Sequence, residues 1–68
     1  MITSDQEMEA TVDRIRDFQD DLARLRKVET NPVNYRLSSS GFLAEIDRMQ
    51  LEVREYLSTP AVTATTPA

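Results

Sequence analysis

Two runs of apolar residues at helical spacing, parted by a segment that should break a helix, constrain this chain more than any other feature. The first run is Met8, Val12, Ile15, Phe18, Leu22 and Leu25; the second is Phe42, Leu43, Ile46, Met49, Val53, Tyr56 and Leu57. Steps of three and four residues keep side chains on one face of a helix. The middle of the first run follows a coiled-coil register, with Ile15 and Leu22 at a positions and Phe18 and Leu25 at d positions. Asp13, Asp20 and Lys27 fall farthest from that seam, and all three are charged. In the second run Phe42, Met49 and Tyr56 take d positions, Ile46 and Val53 take a positions, and Leu43 and Leu57 widen the face. A face broader than a two-stranded seam suits a helical bundle.

End signals bound the elements. Ser4-Asp5-Gln6-Glu7 reads as a capping box, with Ser4 accepting from the Glu7 N–H and Glu7 reaching back. Acidic Asp5, Glu7 and Glu9 near the start, and Arg24, Arg26 and Lys27 near the end, match the helix dipole. Pro32 disfavours helical geometry at Asn31. The first helix is therefore expected within about residues 4–30, about 25 residues or roughly 37 Å at 1.5 Å per residue. The second is expected over about residues 41–57, opened by Ser39 or Ser40 as N-cap and slightly weakened by Gly41 in its first turn. The first helix then outruns the second by about two turns, leaving Met8 and Val12 beyond the partner helix.

Between them, residues 31–40 are expected to form an extended connector. Alternating Val33, Tyr35 and Leu37 would cover the end of the bundle, and Asn34, Tyr35 and Arg36 are the candidates for a partner-contact loop. Leu51 lies opposite the seam; it reads as a lone exposed leucine, with a second contact surface as the sharper alternative. Residues 58–68 carry no charge and two prolines, and are expected to be a disordered tail. Residues 1–57 make up the hairpin.

Size dictates the next inference. A 68-residue chain buries a small fraction of its surface. Below roughly 70–80 residues a single core rarely supplies more than about 3–5 kcal/mol without a staple. The chain has no cysteine for a disulfide and no histidine for an ordinary zinc site. Association is the staple that remains. The expected fold class is all-α: an antiparallel two-helix hairpin that pairs with a second copy as a four-helix-bundle homodimer. Ile15, Phe18, Leu22, Leu25, Phe42, Ile46, Met49, Val53 and Tyr56 are the expected assembly residues.

Reaction chemistry finds little support. The commonest general base and the thiol nucleophile are both missing, and Gly41 is the sole glycine, so no phosphate-cradling loop exists. The clustered acids are better read as helix-surface ion pairs: Asp20–Arg24, Asp21–Arg24, Glu45–Arg48 and Arg48–Glu52. No catalytic residue, cofactor or metal is expected. The net charge of −4 disfavours broad attraction to nucleic acid or anionic lipid. The longest apolar run, Phe42-Leu43-Ala44, is far short of a membrane span, and the first residues lack a secretory signal pattern, so a cytoplasmic location is the default expectation. The leading functional expectation is a self-associating protein–protein interaction module, a scaffold or regulator of a larger protein. One alternative is a nucleic-acid-binding regulator using Arg14, Arg24, Lys27 and Arg54; another is a small subunit of a heteromeric complex.

Overall fold

A computed structural model describes residues 1–60. Two helices account for nearly all of them: α1, Asp5–Val28, and α2, Pro32–Ser58. They run antiparallel, as fixed by two cross-helix contacts. The Tyr56 hydroxyl donates to the Asp5 carboxylate at the open end, and the Phe18 and Phe42 rings meet edge-to-face at 5.5 Å nearer the link.

α1 begins where its capping box places it. Ser4 Oγ accepts from the Glu7 N–H at 3.1 Å. The Glu7 carboxylate reaches back one residue beyond the cap, taking both the backbone N–H and the hydroxyl of Thr3. At the other end Glu29 is the C-cap, its N–H bonded to the Leu25 carbonyl at 2.8 Å.

The link is much shorter than the sequence suggests. Only residues 29–31 separate the helices, and the expected connector over 31–40 is helical from Pro32 onward. Asn31 is the N-cap: its Oδ1 accepts from Val33 N–H at 2.9 Å and Asn34 N–H at 3.3 Å. Pro32 occupies the first turn, where its missing N–H removes no helical bond and its fixed φ is already suitable. The Ser-Ser-Ser-Gly stretch sits inside the helix rather than capping it. Ser39 and Ser40 donate back to the Arg36 and Leu37 carbonyls, and a Cβ on Gly41 would meet nothing within 4 Å.

Three expectations fall with that one. α2, at 27 residues, is longer than α1, at 24. Met8 and Val12 are therefore half-buried beside α2 instead of projecting past it. Val33 and Leu37 do not cover a bundle end; they stand 61% and 70% exposed. Ser58 ends α2 and Thr59 caps it, so the expected tail begins later than residue 58; residues 61–68, on which the expectation of disorder falls, lie outside the described residues.

The core is one thin seam. Ile15 and Leu22 of α1 pack with Ile46 and Met49 of α2, all at most 9% exposed. Phe18, Leu25, Phe42 and Val53 flank them half-buried. Buried Ser39 continues the same face of α2, its hydroxyl satisfied within its own helix. No large side chain among the described residues is completely enclosed.

Candidate interaction surface

The geometry divides the expected assembly residues into two groups. Ile15, Leu22, Ile46 and Met49 are already covered within the single hairpin. Phe18, Leu25, Phe42, Val53 and Tyr56 remain half-exposed along its edges. On one edge, Phe18 and Phe42 line a shallow groove with Ser38, Gly41 and Glu45; it continues past Phe42 to Leu25 and Val28. On the other edge Val12, Ile15 and Val53 lie between Gln19 and Gln50.

The loop expected at Asn34, Tyr35 and Arg36 does not exist. All three lie in the first two turns of α2. Tyr35 turns toward the seam and is half-buried, while Asn34 and Arg36 are exposed on the helix. The reason is the Asn31 cap, which ties the Asn34 N–H into the start of the helix.

Lengthening α2 creates a surface that the shorter helix hid. Its inward face runs Tyr35, Ser39, Phe42, Ile46, Met49, Val53, Tyr56 in alternating steps of four and three. Leu37, Ala44 and Leu51 recur every seven residues on the opposite face, drifting only about 20° per step. Val33, one turn before Leu37, joins them. Leu51 is 52% exposed. It falls at one end of this outward line. Leu43 and Leu57, 47% and 64% exposed, occupy the flank between that line and the seam.

α1 contrasts sharply. Its outer face carries exposed Asp13, Asp20 and Lys27, and Val28, at its last position, is its one exposed large hydrophobic among the described residues. Ion pairs stud both helices. Asp13–Arg16 and Asp21–Arg24 lie on α1, at 3.5 and 3.4 Å; Arg24 turns to Asp21 where Asp20 was the other expected partner. Arg48 on α2 bridges Glu45 and Glu52 at 2.7 and 2.9 Å. The hydrogen bond from Arg48 holds the Glu45 carboxyl below its usual range, and Glu45 in turn raises the guanidinium. These pairs are exposed, so each contributes little to stability.

Two further features escaped the sequence pattern. Ile2 is buried although it lies outside either helix. Tyr56 is tied to Asp5, and that hydrogen bond, followed by partial desolvation, pushes its phenol up. Neither has a local signal, because both depend on the register of the closed hairpin.

Among the described residues no acidic, histidine or cysteine side chains gather in a group able to hold a metal, and no helix is long and apolar enough to cross a membrane. The chain matches no family model, curated protein or solved structure with which it was compared.

Proposed function

We propose that the chain is a small self-associating interaction module, in which α1 braces the hairpin toward water and α2 carries the contact surface for a second copy. The observation that carries this reading is the exposed apolar line on α2, which lies back-to-back with a seam already occupied by α1. On that outer face the apolar residues stand beside the exposed Arg48 and Glu55, so a second helix packed there would meet an apolar line with a charged margin. Singly exposed leucines are ordinary on a protein surface; what supports the reading is that Val33, Leu37, Ala44 and Leu51 recur on one face of α2.

The line is also self-matching. Leu37 and Leu51 are equidistant from Ala44, so an antiparallel α2 from a second copy sets each leucine against its opposite number across a pair of small alanines. A two-fold contact of this kind is the commonest homo-oligomer geometry. The half-exposed Phe18, Leu25 and Phe42 lie on the seam side of the hairpin, away from this contact. This reading keeps the homodimer expected from the sequence but moves its centre from the a and d positions to the outer face of α2. We read the assembled module as a scaffold or regulator of a larger protein.

Size-exclusion chromatography with light scattering, run across a concentration series beside circular dichroism, tests it. A helical species rising from 7.8 kDa toward twice that mass with concentration supports the proposal. A helical monomer at every concentration refutes it. A largely unfolded monomer refutes it too, and favours a subunit that folds only on a different protein.

A further inference from the structure

At the open end of the hairpin Ile2 folds back against the end of α2, while Met1 beside it is 99% exposed. Ile2 is only 9% exposed, in a groove it shares with Glu55, Tyr56, Ser58 and Thr59. Thr3 N–H and Thr3 Oγ both donate to a single oxygen, Glu7 Oε1, at 2.8 and 3.0 Å. One apolar side chain and one carboxylate thus fasten the segment.

We propose that residues 1–3 form a strap that docks on and leaves the open end independently of the α1–α2 seam, with the Glu7 carboxylate as its latch. Independence follows from distance. Ile15, the nearest buried seam residue on α1, is eight residues beyond Glu7, about 12 Å along the helix. The strap adds no backbone bond to the seam, so releasing it leaves Ile15, Leu22, Ile46 and Met49 packed. Segments with few buried contacts open at lower free energy than the core. Release uncovers the side of Tyr56 that Ile2 faces, adding apolar surface at the end of the rod.

The latch is acid-sensitive. The hydrogen bonds from Thr3, backbone first and hydroxyl second, hold the Glu7 carboxyl below the ordinary glutamate value of 4.5, and the amino group of Met1 adds a smaller pull. The other ionisable groups at this end are Asp5, the Tyr56 phenol that donates to it and also feels the Glu7 charge, and Glu55 across the groove. A depressed carboxyl favours the docked state above its ordinary value, and that preference disappears as pH falls through the lowered one. Docking is therefore favoured at neutral pH and weakened in acid.

Nuclear magnetic resonance on the labelled chain tests the strap directly. The reporters are Thr3 amide exchange and the Ile2 methyl shift, with the Ile46 and Met49 amides as seam controls. In Glu7→Ala, Thr3 protection should fall roughly tenfold or more and the Ile2 methyl should move to its free position, while the controls and the helical signal hold. The proposal is overturned if Thr3 and Ile2 stay docked, or if the seam amides lose protection together with Thr3. Should Glu7→Ala fail to fold, acid titration of the unmodified chain decides. The strap reporters must follow the Glu7 carboxyl resonance; movement with helix melting or with another carboxylate overturns the idea.

Discussion

Replacing Leu51 by Asp separates assembly from folding. Leu51 is 52% exposed in the single hairpin and points away from Ile46 and Met49. Burying a whole leucine side chain contributes about 1.5–3 kcal/mol, so covering the exposed half contributes about 0.8–1.5 kcal/mol per copy. A two-fold dimer counts the residue twice, about 1.5–3 kcal/mol in all. Its loss raises Kd about 10- to 150-fold. These values are lower bounds, since a carboxylate at the contact also resists desolvation. The hairpin itself should lose about 0.5 kcal/mol in helix propensity and at most about 0.7–1.4 kcal/mol from the part of the side chain already covered, which leaves it helical. Light scattering over a concentration series measures the shift in Kd, and circular dichroism confirms the helices. A Leu51→Asp chain that is helical and dimerises with unchanged Kd refutes the outer-face contact.

The seam gives the opposite pattern. Ile46→Asp or Leu22→Asp buries an unpaired charge between α1 and α2, at positions 5% and 9% exposed, and the helical signal should collapse together with any assembly. Gly41→Ala should stabilise α2 by about 0.5–1 kcal/mol, because Gly41 lies inside the helix with open space beside it; a higher urea midpoint is the readout, and no change or a loss would mean the site is crowded by a partner. Helicity should also fall in acid. Glu45 has a lowered carboxyl through Arg48, so its contribution is present above the ordinary value of 4.5 and fades as pH drops through the lowered one. Arg48→Gln should flatten that part of the acid profile of the helical signal.

Much of α1 is legible in the chain because its signals are local. Ser4 and Glu7 mark the start within one turn, and the register through Ile15, Phe18, Leu22 and Leu25 names the buried face directly. α2 is legible only from its middle onward. Pro32 stops a helix arriving from Asn31 and equally suits the first turn of a helix leaving toward Val33, and the local pattern shows only the first role. The Ser-Ser-Ser-Gly run has loop composition, yet Tyr35 and Ser39 carry the seam register back through it. A small residue at Ser39 is tolerated in the core because its hydroxyl is satisfied in its own helix. Without the first three turns of α2, Leu37 and Val33 read as loop residues and Leu51 reads as isolated. Ile2 and the Asp5–Tyr56 bond cannot be found by pattern at all, since they join residues more than fifty positions apart or outside any helix.

The two helices divide their chemistry unequally, and this links folding to assembly. The exposed ion pairs on α1 and around Arg48 screen easily and add little. Four well-buried side chains and their half-buried neighbours must then hold two long helices together. Cores of this size are marginal. Covering the outer line of α2 draws on apolar area that the seam cannot use, because that line faces the other way. Stability of the hairpin should therefore rise with protein concentration, as expected wherever a partner binds the folded state alone. A thermal midpoint that climbs between micromolar and millimolar chain in the unmodified protein, but stays flat in Leu51→Asp, is the signature of that coupling. A flat midpoint in both would place all the stability in the seam and leave the apolar face of α2 without the role assigned to it.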